Sequence, residues 1–352
     1  MRSKTRNLLL VAPSWLGDAV MSLPLLGYLA ACEGVRVCVM CSGYTARVFW
    51  GVDEVDQLVV LSKSGWARRF WHRSRTLRAI ALAAGVVLPP SFSSALALYL
   101  AGIQHRIGFR TDGRGMLLTR GLPTRGSRET HLSESYLGLG RELIDAMGMQ
   151  QPSEPDVPSV RVFDKDREST AKILGKRLDT GSGYVVVVPG ATFGLTKSWP
   201  REKYRELVTM IAKDVPVVLV GSATEREMCD WISHDIGGAH NIAGKTDLGT
   251  LFGVLESALA VVANDSGVPH AAASIGTPVV VIFGSTSPTW TRPLGDHVDV
   301  VCEPVHCSPC FRRECPTQLE CYAAISPEMI HDRVERAAGT RGSSAKGNVS
   351  NT

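Results

Sequence analysis

The chain has 352 residues, with 38 Lys and Arg against 34 Asp and Glu, 44% hydrophobic side chains and 20% charged ones. At about 100–200 residues per domain this is room for two cores, and the composition excludes collagenous and wholly disordered chains. No stretch approaches the about 18 uninterrupted apolar residues that a membrane-spanning helix needs.

The net charge of +4 says little, because its distribution is uneven. Between residues 60 and 128 stand Lys63, Arg68, Arg69, Arg73, Arg75, Arg78, Arg106, Arg110, Arg114, Arg120, Arg125 and Arg128, against Asp112 alone. Such a stretch is either a solvated face or a field that attracts an anion: a nucleic acid, an acidic membrane surface or a phosphorylated glycolipid.

At the amino end, Arg2, Lys4 and Arg6 precede Leu8-Leu9-Leu10, the layout of a signal peptide. Pro13, Gly17, Asp18 and Pro24 break the apolar stretch below the about 7–15 continuous residues of an h-region, so residues 7–12 are expected to form a first strand. A turn-like Ser14-Trp15-Leu16-Gly17-Asp18 follows, then a helix over residues 19–32. Strands are expected at 35–40 and 57–61, and strand–helix alternation of this kind builds a parallel sheet covered on both faces. Residues 150–158 hold three prolines in a polar run and mark the boundary between a domain over residues 1–155 and another over 156–338. In the second half, apolar runs at 184–188, 215–220, 261–263 and 279–283 each empty into a loop of small residues. Open parallel sheets bind ligands beyond such strand ends. Residues 339–352, rich in Gly, Ser and Asn, are expected to be a disordered tail.

Several loops carry candidate chemistry. The loop at 189–200 combines glycines, Thr192 and Lys197, which suits close approach to a phosphate, although its spacing is neither a Walker loop nor a dinucleotide fingerprint. Asn264-Asp265-Ser266-Gly267-Val268-Pro269-His270 ends a strand and opens a helix, whose first N–H groups face either a diphosphate or an ordinary cap. Asp18 is either an N-cap or a general base. Without GxGxxG after the first strand, a nicotinamide dehydrogenase loses its main support. Asp164-Lys165-Asp166 is expected to be helix-start charge rather than a metal motif. Cys307, Cys310, Cys315 and Cys321 fall within fifteen residues, near Cys302 and His306, and offer a structural metal site, a disulfide pair or reduced thiols.

Four blocks in order carry a family resemblance: Leu10 to Asp18, Leu88-Pro89-Pro90-Ser91-Phe92 with the stretch at 101–108, Pro189-Gly190-Ala191 with Lys197-Ser198-Trp199-Pro200, and Asn264-Asp265-Ser266-Gly267 with His270. Over about residues 7–330 the chain resembles the ADP-heptose:lipopolysaccharide heptosyltransferases of glycosyltransferase family 9. The resemblance implies a GT-B architecture of two Rossmann-like domains. It also implies inverting transfer of L-glycero-D-manno-heptose from ADP-heptose to the heptosylated inner core of lipopolysaccharide, without a catalytic cofactor. In that frame Asp18 is the base and Lys197 stabilises the leaving diphosphate. Thr192, Glu225, Asp265, Ser266, Gly267 and His270 serve the donor, with Glu227 as a near alternative to Glu225. Ser14, Lys63, Arg106 and Arg110 serve a lipid A-anchored acceptor. Val268-Pro269 departs from the family pattern, and a shift of the amides ahead of His270 is expected there. The implied protein is a cytoplasmic monomer that touches the inner-membrane leaflet and binds no nucleic acid.

Overall fold

The structure, a computed structural model, describes residues 5–61, 74–124, 128–153, 156–175, 183–191 and 194–347. The chain forms two compact units, Met1–Val160 and Arg161–Thr352.

The first unit contains β1 (Arg6–Val11), β2 (Val35–Ser42), β3 (Gln57–Leu61), β4 (Leu82–Val87), β5 (His105–Phe109) and β6 (Arg120–Leu122), in the sheet order β3-β2-β1-β4-β5-β6. The second contains β7 (Val185–Val188), β8 (Val217–Leu219), β9 (Ala239–Asn241), β10 (Ala260–Asn264), β11 (Val279–Phe283) and β12 (Val298–Cys302), in the order β12-β11-β10-β7-β8-β9. Every pairing is parallel. Each order reverses once, between β1 and β4 and between β7 and β10. This is the doubly wound pattern, and ligands enter it outside the strand carboxyl ends at the reversal.

The central strands are buried on both faces and therefore read as unbroken apolar runs rather than alternating ones. The four valines of β7 and all five residues of β10 and β11 are buried, and Val262 lies opposite both Val187 and Val280. Branched side chains of this kind lose little freedom in a pleated strand.

In the first unit the helices are α1 (Leu16–Met21), α2 (Leu23–Ala30), α3 (Ala46–Trp50), α4 (Phe92–Leu100) and α5 (Leu132–Ala146). The second carries α6 (Asp164–Leu174), α7 (Arg201–Ile211), α8 (Arg226–Ser233), α9 (Leu248–Glu256), α10 (Gly267–Ser274), α11 (Pro288–Thr291), α12 (Glu320–Ala323) and α13 (Pro327–Gly347). Where one helix was expected over residues 19–32, there are two. Pro24 has no N–H to continue the ladder, and the Ser22 hydroxyl donates to the Ala19 carbonyl at 2.6 Å. The expected tail from residue 339 is corrected as well: α13 runs to Gly347. The Arg341 guanidinium fastens it by donating to the carbonyls of Glu256 and Ala258 and to the Thr277 hydroxyl. Asp164 and Asp166 open α6, as the charge pattern implied, and the Asp166 carboxylate accepts from the Phe163 N–H at 3.1 Å.

Most of the described arginines in the basic stretch are committed to the fold. Arg114 is fully buried and donates to carbonyls of Val87, Pro89 and Phe109; Arg78 donates to Leu100; and Arg120 pairs with Glu142 and Asp145.

Helices α6 and α9 approach closely through Gly253. A Cβ there would stand 2.8 Å from the Asp166 carbonyl and would collide with the Thr170 hydroxyl. Alanine at 253 gains about 1 kcal/mol of helix propensity but forces about 1–3 kcal/mol of overpacking. Gly253→Ala is therefore expected to lower the urea midpoint without changing the slope, and an unchanged or raised midpoint would contradict this packing.

Candidate active site

The reversal in the second sheet gathers two loops, one after β7 and one after β10. Asn264, the last residue of β10, ties them together. Its side-chain amide donates to the Pro189 carbonyl at 2.8 Å, and its oxygen accepts from the Trp199 N–H at 3.0 Å. Trp199 is buried, donates its indole N–H to the Ile325 carbonyl and meets the Tyr204 ring edge-on at 4.9 Å. The loop between Pro189 and Trp199 is thus pinned at both ends.

Beside it, the Lys197 ammonium lies 2.7 Å from an Asp265 carboxylate oxygen, with the two side chains 17% and 6% exposed. Thr286 donates to the same oxygen at 2.7 Å, and Thr291 reaches the other at 3.4 Å. A carboxylate this deeply buried needs such partners to offset its lost hydration. Asp265 thus holds the lysine in place. Thr286 and Thr291 had not been singled out; the polar Gly284-Ser285-Thr286 after an apolar run was the available signal.

Ser266 takes the N-cap position of α10 with extended backbone, yet its hydroxyl makes no capping bond and is buried without a hydrogen-bond partner. Pro269 sits in the first turn, where a missing N–H costs nothing, so α10 still begins at Gly267 with the amides of Gly267 and Val268 at its positive end. His270 lies in the same turn, 2% exposed. Glu225 ends a short 3₁₀ turn after β8 and accepts from the N–H and hydroxyl of Ser222 at 2.6 and 2.8 Å. Its carboxylate presses against Gly190, where any Cβ would collide with it, whereas Glu227 points outward from α8. The structure therefore joins Glu225, not Glu227, to the loop after β7. Thr192 lies outside the described residues.

In the first unit, Ser14 is exposed in the loop after β1, and Asp18, half-buried, sits in the first turn of α1. The Tyr136 hydroxyl of α5 is pushed well above its ordinary range by burial and, secondarily, by the neighbouring Asp18 carboxylate. Arg110 is exposed just beyond β5 with its stem over Gly121. Arg106 is placed differently. At the amino end of β5, its guanidinium donates to the carbonyls of Ile103, Gln104 and Leu117, which ties it to the fold, away from the strand carboxyl ends. Lys63 lies outside the described residues.

All nine cysteines are free, and the Cys321 thiol has those of Cys315, Cys307 and Cys310 near it: burial first, and then these neighbours, push it up to about 11. Among the described residues, the one grouping at ligand spacing is His331, Asp332 and Glu335, largely exposed on α13. Cys321 is buried at the start of α12, while Cys307 is exposed and Cys310 and Cys315 are half-buried on a strap whose backbone is engaged with neighbouring loops. In that strap the Ser308 hydroxyl donates to the Gly284 carbonyl at 2.5 Å, the Phe311 N–H donates to the Ser285 carbonyl at 2.8 Å, and the Thr196 hydroxyl donates to the Arg312 carbonyl. The cysteine-bearing segment thus braces the same loops that hold Lys197 and Asp265.

A doubly wound sheet in each unit is the make-up of a GT-B glycosyltransferase, the fold of the E. coli heptosyltransferase structures that this chain matches along nearly its whole length. The chain belongs to glycosyltransferase family 9, the heptosyltransferase family, which its residues 70–321 match. It is 29% identical over 306 residues to lipopolysaccharide heptosyltransferase 2 of Escherichia coli K12, covering 84% of this chain and 87% of that protein. It is 25% identical over 356 residues to lipopolysaccharide heptosyltransferase 1 of Pseudomonas aeruginosa, covering 94% and 97%. The solved structure of E. coli ADP-heptose lipopolysaccharide heptosyltransferase II superposes with a TM-score of 0.78 at 26% identity, covering 96% of this chain and 99% of that one.

Breaking the Lys197–Asp265 pair from one side leaves a buried carboxylate short of its cation. Lys197→Ala is expected to cost about 2–4 kcal/mol in denaturant unfolding, and the double variant Lys197→Met with Asp265→Leu to recover part of that loss. Equal losses that simply add would show that the two side chains do not interact. The thiols give a second check. Burial pushes Cys32 and Cys38 up to about 11 and Cys41 and Cys229 up to about 12, while the Thr317 hydroxyl holds the half-buried Cys315 below its ordinary value. At pH 7 only the thiolate reacts, so a maleimide should modify Cys315 early and leave those four untouched until denaturant is added. Mass spectrometry showing uniform labelling of the native protein would contradict these environments.

Proposed function

We propose that this protein transfers L-glycero-D-manno-heptose from ADP-heptose to the heptosylated inner core of lipopolysaccharide, with inversion and without a cofactor. The observation that carries the reading is the Lys197–Asp265 pair beside the start of α10, a fixed cation and free amides where a diphosphate leaving group needs them. The likeness to heptosyltransferase 2 supports the choice of sugar and acceptor.

In this mechanism the Asp18 carboxylate takes the proton of an acceptor hydroxyl as its oxygen attacks the anomeric carbon of the heptose. The bond from that carbon to the diphosphate breaks, and ADP departs with the bonding pair. Lys197 and the amides of Gly267 and Val268 meet the negative charge that grows on the diphosphate. Ser266 and His270 serve the same group, and Glu225 accepts hydrogen bonds from the ribose hydroxyls. Thr192 keeps its assignment to the donor by its place in the loop, and Lys63 with Ser14 and Arg110 keep theirs to the phosphorylated acceptor. Among the described residues no helix is long and apolar enough to cross a membrane. The protein is proposed to work as a cytoplasmic monomer that meets its lipid-anchored acceptor at the inner leaflet.

Asp18→Asn removes the base while keeping the shape, so turnover should fall about 10²–10⁴-fold with KM for ADP-heptose nearly unchanged. Undiminished transfer by this variant would remove Asp18 from the mechanism. An acceptor bearing one heptose should accept a second, and one bearing none should be left unchanged; the reverse preference would make the protein a first-heptose transferase.

A further inference from the structure

The first sheet has a reversal of its own, between β1 and β4, and the second unit's ligand chemistry leaves it unused. Adjacent strands are about 4.8 Å apart, so the loops leaving β1 and β4 start side by side. Each presents an aromatic ring to solvent: Trp15 is 66% exposed and Phe92, the first residue of α4, is 42% exposed. Further along the same strand ends stand Tyr44 beyond β2 and Met116 beyond β5, both exposed, with the exposed Arg110 just beyond β5 and its stem against Gly115 and Gly121. Because all six strands are parallel, these residues lie along one edge in the order Tyr44, Trp15, Phe92, Met116. The second unit has no counterpart among the described residues. Its exposed large apolar side chain is Trp231, and the guanidinium groups of Arg201 and Arg205 cover that ring at 4.5 and 5.6 Å.

Burying a tryptophan or phenylalanine in the core contributes about 1.5–3 kcal/mol, and leaving two of them in water beside a crevice forgoes that gain. Exposed apolar surface of this kind marks a binding face. Its occupant must suit flat apolar rings, a hydroxyl at Ser14, a carboxylate at Asp18 in the same loop, and a cation at Arg110. A bilayer does not suit it, because inserting the Trp15 loop would carry the Asp18 carboxylate toward lipid. A sugar does, since its C–H faces lie against rings while its hydroxyls reach polar side chains.

We propose that Trp15 and Phe92 form the stacking platform for a sugar ring of an anionic oligosaccharide acceptor at the reversal of the first sheet, with Arg110 pairing its phosphate. The inference rests on the transfer reading above and deepens it by naming what holds the acceptor. Trp15 stands three residues before Asp18, so a ring stacked on the indole brings its hydroxyls within reach of the proposed base. Selectivity then comes from ring stacking near the reacting hydroxyl and from charge one to two strands away.

The test uses the full chain and a phosphorylated, heptose-bearing core oligosaccharide freed of its lipid. By calorimetry, Trp15→Ala and Phe92→Ala should each weaken binding about three- to tenfold, and Trp15→Phe should keep most of the affinity. KM for this acceptor should rise in step while KM for ADP-heptose stays put, and thermal midpoints should match the wild type because both rings are exposed. Unchanged oligosaccharide affinity in the two alanine variants, with transfer intact, overturns this proposal alone. So does a loss confined to flotation with anionic phospholipid vesicles, which would make the edge a membrane contact. A wild-type protein that binds no such oligosaccharide overturns the transfer reading and the platform together.

Discussion

The carboxyl end of β10 fixes the chemistry of the second unit. Asn264 and Asp265 are consecutive residues, and their side chains hold the loop after β7 by three contacts, to Pro189, Lys197 and Trp199. A buried ion pair seldom adds net stability, because two charges leave water to form it. Here Thr286 and Thr291 share the cost by donating to the same carboxylate, and what the arrangement secures is position. A lysine on a pinned loop loses little freedom when a diphosphate arrives, and preorganised charge is the form in which electrostatic stabilisation is most effective.

Other features serve the same constraint. Gly190 has no side chain because the Glu225 carboxylate occupies that space, and Gly284 lacks one because the buried Tyr322 ring lies against it. The strap from β12 to α12 spends its main-chain and hydroxyl groups on Gly284, Ser285 and Thr196. The strap thereby braces, through Ser308, Phe311 and Arg312, the loops that carry Lys197 and Thr286. The first unit applies the same sheet order to a different end, with exposed rings and a carboxylate where the second has a cation and a helix start.

Much of this was legible in the chain because doubly buried strands write themselves as unbroken apolar runs; β3 and β11 fall at the expected residues. The strand-end loops were legible for the complementary reason, that polar residues directly after such runs have few structural uses. Long-range commitments were not legible. Arg106 looks like an anion ligand until its guanidinium is seen on three carbonyls, and α13 outlasts a Gly- and Ser-rich composition because Arg341 reaches carbonyls some eighty residues away. Glu225 and Glu227 are equivalent by spacing and differ only because a 3₁₀ turn sends one toward Gly190. The four cysteines share a short segment, but their exposure, from the exposed Cys307 to the buried Cys321, was not readable from spacing.

The central claim is that Lys197, set by Asp265, is the cation of a nucleoside-diphosphate site. Titration calorimetry of ADP against the full chain tests it most directly. The account predicts one ADP per wild-type chain and binding weakened about tenfold or more by either Lys197→Met or Asp265→Asn. Wild-type affinity for ADP in both variants would contradict it.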